Sequence, residues 1–320
     1  MLDYVYNIDL PFCGKTIFFR ELNSAEQLAL TKANYVIPIT DDQKHYASYV
    51  REVIKGCVKN KEVLEEINLL EYVMLITKIR ILSFGPSLDL QYEEGGQTIK
   101  LNIDLQTFIN NLYQGSTNFE GQNLEIDTKD IKVTAVLKWP DLSCEEFLLA
   151  VDPKNALLDS IGVYIKNINI IQDGNAIFPE SLSVSYSEWQ KVYQKLPIAA
   201  RTEISSKISA GLENLKSQNL FDIERLKGYT FSFYNQMYLN IFRWLFTFNL
   251  QDIYREYYIL ASHNIQPEYI NGVTATVRKI FMSYHMEEQE SRSAGPKDGI
   301  DLPSSSVEKL AREFGDIAPN

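Results

Sequence analysis

One stretch of the sequence is apolar on nearly every side of a helix, and this limits how the rest of the chain can fold. It runs from Ile67 to Gly85 as INLLEYVMLITKIRILSFG, with few polar residues to face water. A helix that is hydrophobic all round is normally buried, so we expect this segment at the centre of a core built by neighbouring elements. Gly85-Pro86 predicts its end, because neither residue readily continues a helix.

The residues before this helix predict a β-hairpin. Strand-like runs at Ile8 to Phe12 and Thr16 to Glu21 flank Cys13-Gly14-Lys15, a short connection that contains glycine. The triplet Gly14-Lys15-Thr16 also ends the phosphate-loop motif, but Asp9 stands where that motif needs its first glycine. The run after Thr16 is β-branched and aromatic, which favours a strand over the helix that a phosphate loop requires. The hairpin is therefore the better interpretation.

Apolar periodicity predicts an α+β fold, with β-hairpins and packed helices ahead of a mainly helical C-terminal module and a flexible tail. Period-two alternation predicts a second hairpin around Gly95-Gly96 and a strand that ends at Pro140. Capping boxes at Ser24 to Gln27 and at Ser143 to Glu146 predict two helix starts. Further helices are predicted at 46–58, 108–112 and 185–226, whereas 155–184 fits either helix or strand around a turn at Asp173-Gly174-Asn175.

The section from Tyr229 to Tyr284 is dense in aromatic residues that point to nearly every side of a helix. Arg243 and several amides interrupt it, and because such groups are costly inside a bilayer we expect no membrane span. We expect an antiparallel helical hairpin, with Pro267 in its connection and a last helix from Val273 to His285. Two interpretations of the rings stay open. They pack internally against the helices of residues 185–226, or they form a surface for a protein partner, where Tyr, Trp and Arg are favoured.

These patterns divide the chain into four parts: a hairpin-plus-helices module at 1–86, an α+β middle region at 87–226, an aromatic helical hairpin at 227–286 and a tail at 287–320. The tail is rich in Ser, Gly, Pro and charge, so we expect it to be flexible. Within it, SSSVEKLAREFG has apolar residues at helical spacing, which predicts a short helix that forms on a partner.

Charge and the scarcity of reactive residues exclude several function classes. The formal net charge of the 320 residues is −11, whereas binding to a phosphate backbone relies on Lys and Arg, so no nucleic-acid partner is expected. The cysteines form no CxxC pair and are expected to be reduced, and the histidines have no zinc-site spacing. The sequence predicts no catalytic residue, no cofactor, no metal site and no secretory signal. The residues that could have been reactive or metal-binding are Cys13, Cys57, Cys144, His45, His263 and His285, with the adjacent acidic pairs Glu65-Glu66, Glu93-Glu94, Glu145-Glu146 and Glu287-Glu288.

The stretch LPFCGKTIFFRELNSAEQLAL resembles the N-terminal signature of baseplate hub proteins of T-even-type contractile-tailed phages. That signature has a GK turn, an aromatic-Arg pair in a strand and an acidic residue, here Glu26, that opens a helix. The long apolar helix resembles the same family's buried helix, which ends in Arg, Ser and Gly. The resemblance implies structural signature residues at Gly14, Phe19, Arg20, Arg80, Ser83 and Gly85.

The C-terminal helices resemble small helical phage proteins that assist hub or tape-measure assembly, with Arg278, Phe281 and Glu287-Glu288 matching their ending. Together the resemblances imply a non-enzymatic hub subunit that binds other hub or tape-measure proteins, in the host cytoplasm during assembly and in the virion baseplate. Alternatives are an assembly chaperone absent from the mature virion, a soluble carboxylate-based hydrolase, and a host-derived adaptor that recognises a peptide in a helix groove. The candidate partner-binding residues are Tyr234, Tyr238, Phe242, Trp244, Tyr254, Tyr257 and Phe281.

Overall fold

The computed structural model describes residues 6–37, 43–94, 96–127, 131–151, 157, 160–178, 193, 195–217, 220–221, 232–233 and 237–293. The chain divides into two compact units, Met1–Arg278 and Lys279–Asn320. Within the described residues the first unit combines small antiparallel sheets with packed helices and ends in a helical region. The α+β class predicted from the sequence is confirmed.

The N-terminal hairpin forms where the sequence predicted it. Strands β1 (Tyr6–Asp9) and β2 (Thr16–Phe19) pair in antiparallel register. Gly14 adopts a φ of +66°, a left-handed conformation that glycine reaches without the steric cost of a Cβ. Strand β2 begins at Thr16 and the first helix begins only at Ser24, so the GKT triplet lies in a turn between strands and not at a phosphate-binding helix N-terminus.

Both predicted capping boxes need correction. Helix α1 (Ser24–Val36) is capped one residue earlier than predicted, by Asn23, whose side chain accepts the Glu26 N–H while the Glu26 carboxylate accepts the Asn23 N–H. Asparagine caps as well as serine does, and the glutamate reaches the cap N–H. The box at Ser143 to Glu146 is absent, because the helix there begins at Glu145 without a side-chain cap.

Helix α2 (Gln43–Cys57) and helix α3 (Leu69–Phe84) build the centre of the first unit with α1. Twelve of the 16 residues of α3 are buried, which confirms the central position predicted from its all-round apolar sequence. Asn68 and Glu71 form a second capping box at its start. Gly85 ends it with a φ of +93°.

The middle of the chain contributes a long hairpin and a four-stranded sheet. Strands β3 (Ser87–Glu94) and β4 (Gln97–Asp104) pair with each other, and α4 (Leu105–Ser116) follows. Strands β5 (Asn123–Asp127), β6 (Ile131–Leu137), β7 (Ile165–Gln172) and β8 (Asn175–Phe178) form an antiparallel sheet in sequence order. Asp173 and Gly174 both have positive φ, as a two-residue hairpin turn requires, so β7 and β8, within the segment left open between helix and strand, form a hairpin. Helix α5 (Glu145–Ala150) lies between β6 and β7 in sequence.

Helices complete the described chain: α6 (Ile198–Ser217), α7 (Met237–Leu245), α8 (Leu250–Ser262), α9 (Pro267–Gly272) and α10 (Ala275–Ser293). Pro267 is the first residue of α9, so it opens a short helix instead of lying in a plain connection. Helix α10 continues to Ser293, and the flexible tail predicted from residue 287 is therefore wrong for 287–293. Trp189 and Val192, and the segment SSSVEKLAREFG, lie outside the described residues.

Candidate interaction surfaces

The predicted aromatic-Arg pair is part of the core. Phe19 is 1% exposed, and the buried Arg20 guanidinium makes a two-pronged ion pair with Glu26, at 2.6 Å from Nη2 to Oε1 and 2.8 Å from Nη1 to Oε2. Arg20 also donates from Nη2 to the Gly56 carbonyl at the end of α2. A Cβ added at Gly56 would lie 3.1 Å from the Glu26 Oε1 atom. This arginine therefore joins β2, α1 and α2, and a two-pronged carboxylate pair of this kind suits arginine better than lysine.

The second signature arginine joins α3 to the C-terminal helices. Arg80 donates from Nε to the Leu245 carbonyl at 2.8 Å and from Nη1 to the Gly85 carbonyl at 3.2 Å. Its guanidinium lies 4.9 Å from the ring centroid of Phe84 and 5.4 Å from that of Phe248. Burial lowers the pKa of Arg80 to about 10, so the side chain stays charged at neutral pH. The contact satisfies a backbone carbonyl at the end of α7 and fixes that end against α3.

Ser83 performs a similar task one turn later in α3. Its hydroxyl donates to the Ile79 carbonyl at 2.8 Å and accepts the Leu22 N–H at 3.0 Å. Leu22 precedes α1, so this bond ties the central helix to the chain segment that enters α1. The signature residues of the second motif therefore hold elements together inside the first unit.

Two further buried arginines, which the sequence reading did not single out as structural, hold the C-terminal helices. Arg278 donates to the hydroxyl of Ser24 at 2.9 Å, to the Gln27 side chain, and to Glu256 at 2.7 Å. Arg243 lies over the Tyr46 ring at 4.0 Å from its centroid. Helices α7 to α9 therefore pack on α1, α2 and α3, and the predicted packing partner at 185–226 is only part of their surroundings.

The predicted partner-binding residues have different environments. Phe242 is fully buried in an edge-on contact with Tyr72, so it serves internal packing and is not available at a surface. Trp244 is partly buried against Phe221, at 5.6 Å between ring centroids. Tyr257 is partly buried and donates to Asn271. Phe281, in the second unit, is partly buried, and Tyr254 is exposed, whereas the side chains of Tyr234 and Tyr238 lie outside the described part.

Tyr254 belongs to an exposed cluster that the sequence reading did not assemble. We define the tyrosine patch as Tyr35, Val36, Tyr254 and Tyr258, which are 63%, 75%, 49% and 76% exposed. Tyr254 and Tyr258 are four residues apart on α8 and share a face. Lys32 of α1, one turn before Val36, places its Nζ 5.7 Å from the Tyr254 ring centroid and so brings the two helices together at the surface.

The tyrosine patch has both apolar area and hydrogen-bonding capacity. The Tyr35 hydroxyl donates to the Phe248 carbonyl at 3.4 Å, which positions that ring at the junction between α1 and the start of α8. Tyrosine is favoured at protein interfaces because it supplies a large rigid surface with few rotatable bonds. A sequence signal existed at Tyr35, a large residue on the side of α1 opposite the buried Leu30 and Ala33.

The cysteines do not have the environment of reactive thiols. Burial raises the pKa of Cys13, Cys57 and Cys144 above the ordinary thiol value. Cys57 also lies 3.5 Å from a Glu26 carboxylate oxygen, whose negative charge raises its pKa further. Since the thiolate is the nucleophilic form, these residues stay protonated and unreactive at neutral pH. Among the residues described, no helix combines the length and apolar character needed to cross a bilayer.

Comparison with known proteins gives one match. The sequence model of the family described as T4 bacteriophage base plate protein matches residues 1–218. The match covers β1 through α6 and therefore includes both signature motifs. No curated protein and no solved structure matches the chain.

Proposed function

This chain belongs to the T4 bacteriophage base plate protein family, and we propose that it is a subunit of the baseplate hub. It acts by binding other hub or tape-measure proteins, without catalysis. The observation that carries the proposal is the family match over the region whose signature residues build the core. The buried signature arginines support this role, because they make a scaffold rigid without forming a reactive site.

The tyrosine patch is the surface we propose for docking. It lies on α1 and α8, and α8 follows the region matched by the family. Its occupant is a neighbouring hub protein that offers apolar side chains for the rings and acceptors for the tyrosine hydroxyls. Exposed tyrosines at the centre of a contact commonly carry much of the binding free energy.

Truncation near Lys227 does not test this surface. It would remove α7 to α10 and uncover α3, where Arg80 and Tyr72 contact α7. Loss of partners would then report unfolding. Point substitutions at the patch avoid this problem, since Tyr254 and Tyr258 are already 49% and 76% exposed.

The experiment is a phage carrying Tyr254→Ala and Tyr258→Ala together, with quantitative mass spectrometry of purified particles and of infected-cell extracts. We expect the variant to accumulate normally in cells and to be reduced about tenfold in particles, because truncating two ring anchors weakens a contact by that order or more. Tyr113→Ala is the matched control, a tyrosine that is 42% exposed on α4 and outside the patch.

The outcomes test hub membership and the docking role of the tyrosine patch separately. Wild-type protein in purified particles supports a structural subunit, whereas protein found only in cell extracts supports an assembly chaperone. Incorporation of the double variant at the wild-type level contradicts the docking role of the patch and leaves hub membership intact. An equal loss with Tyr113→Ala contradicts the patch as the specific surface.

A further inference from the structure

The β3–β4 hairpin is the longest strand pair in the described chain, and neither strand has a second strand neighbour among the described residues. Each strand has eight residues, and Gly96, with a φ of +79°, lies in the turn. A lone two-stranded hairpin is at best marginally stable in water, and its outer edges present unpaired backbone groups. The hairpin therefore has capacity for further strand pairing.

Burial along the hairpin falls from its base toward its tip. Leu88 and Ile103, paired at the base, are 4% and 0% exposed. Leu90 and Leu101, the next pair on the same face, are only partly buried, and so is Ile99 nearer the turn. This face is apolar along its length, but the core of the first unit covers only its base fully.

The opposite face and the turn are polar and mainly acidic. Asn102 donates to the Ser87 hydroxyl and, at 2.8 Å, to the Asp89 carboxylate, and Lys100 is exposed. The segment 87–104 contains four acidic residues and one lysine. Two copies paired edge to edge would place like charges near one another, which opposes self-association. A strand with basic side chains would instead complement this segment.

We propose that the β3–β4 hairpin is a docking arm that pairs with a basic β-strand of another protein. The partner strand continues the sheet by backbone hydrogen bonds, places alternate apolar side chains on the face that carries Leu90 and Leu101, and places Lys or Arg on the face that carries the acidic side chains. This is strand addition to an open sheet edge. The site is separate from the tyrosine patch and does not depend on the hub assignment.

The test uses the full-length protein and fluorescein-labelled peptides, with binding measured by anisotropy. The probe alternates valine and lysine. One control replaces every lysine with glutamate, and the other has the probe's composition with the valines and lysines in two blocks. We expect the probe to bind about tenfold more tightly than either control, because both charge and alternation contribute to strand pairing.

Variants locate the contact. Asp89→Lys weakens binding of the probe and Lys100→Glu strengthens it, each by about tenfold, because both side chains lie on the polar face of the hairpin, which the probe's lysines would share. Asp252→Lys is the control for Asp89→Lys, because it makes the same change in net charge at an exposed position on α8; we expect it to leave binding of the probe unchanged. Circular dichroism of each variant checks that the fold is retained, and the opposite directions expected at positions 89 and 100 distinguish binding from unfolding.

Hydrogen exchange with and without the probe tests the pairing itself. Slower exchange of amides in 87–104 supports strand addition. Equal binding of the block peptide, or protection confined to other parts of the chain, would overturn the proposal. Absence of probe binding would overturn it as well.

Discussion

Replacement of Glu71 tests how the N-terminal hairpin is held on the central helix. The Glu71 side chain is fully buried, and one carboxylate oxygen, Oε1, accepts the N–H groups of Phe12 at 2.8 Å and Cys13 at 2.9 Å. The other, Oε2, accepts the Asn68 N–H at 3.2 Å within the capping box of α3. One side chain thus binds the turn of the β1–β2 hairpin and the start of α3 together, at a helix N-terminus that favours a negative charge.

The expected losses follow from these three bonds. Glu71→Ala removes all three, and hydrogen bonds to charged groups contribute about 1.5–3 kcal/mol each when water cannot replace them. Asn68 is buried, whereas Phe12 and Cys13 are partly accessible and regain some hydration. We therefore expect a loss of about 4 kcal/mol in the free energy of unfolding. Glu71→Gln keeps an oxygen for the hairpin amides but turns an NH2 group toward the Asn68 N–H, so we expect a loss of about 2 kcal/mol.

The assay is urea unfolding followed by far-ultraviolet circular dichroism, with hydrogen exchange of the Phe12 and Cys13 amides as the local readout. The glutamine variant should keep slow exchange at these two amides, and the alanine variant should lose it. Equal losses for the two variants, or a loss below about 1 kcal/mol for alanine, would show that the carboxylate does not anchor the hairpin.

Four further predictions concern buried or partly buried groups. Tyr72→Phe should leave the free energy of unfolding unchanged or raise it by up to about 1 kcal/mol, because its buried hydroxyl has no hydrogen-bond partner among the described residues. Tyr46→Phe, measured in the same urea series, should lower it by about 1 kcal/mol, because that hydroxyl donates at 2.7 Å to an asparagine oxygen. Gly211→Ala should lower the melting temperature with a loss of about 2–3 kcal/mol, because the new Cβ would lie 2.3 Å from a ring carbon of the buried Phe119; a loss below about 0.5 kcal/mol would contradict this packing. Burial raises the pKa of the Glu120 carboxyl in the folded protein above its ordinary value of 4.5. The stability that Glu120 contributes is therefore greatest below the pKa of the unfolded state, and it is lost as pH rises through the pKa of the folded state. Glu120→Gln should therefore gain stability relative to the wild type as pH rises from acid to neutral, and a constant difference across that range would contradict the sign.

The sequence was most informative where one periodicity ran unbroken. The all-round apolar pattern of α3 predicted both the helix and its burial, and the alternation of β3 and β4 predicted their hairpin. The sequence did not show which residue caps α1, because Asn23 and Ser24 are both good helix caps. Asn23 is the cap because the Glu26 carboxylate reaches its N–H group. The pattern of residues 155–184 fits two periods; within the described part, Ile165–Gln172 pairs with β6 and Asn175–Phe178 pairs with β7, so these residues are strands.

The candidate surface was predictable only in part. Tyr254 was identified because aromatic residues are dense in this part of the sequence. That density does not distinguish the exposed Tyr254 from the buried Phe242, because a distant helix decides which side of each helix is buried. The tyrosine patch combines residues from α1 and α8, separated by more than two hundred positions, and no local pattern connects them. The buried arginines were visible in the sequence, but the elements they join were not, since acceptors such as the Gly56 and Leu245 carbonyls lie far away in the chain.

The long-range pairing at the start of α1 has a consequence for the timing of synthesis. Asn23 forms a β-bridge with Thr274, the Ser24 N–H donates to the Val273 carbonyl at 2.9 Å, and the Ala275 N–H donates to the Leu22 carbonyl at 3.3 Å. These bonds join the start of α1 to a segment that leaves the ribosome about 250 residues later. The start of α1 therefore stays unpaired until that later segment has been made, and the unfinished polypeptide is the form most exposed to aggregation.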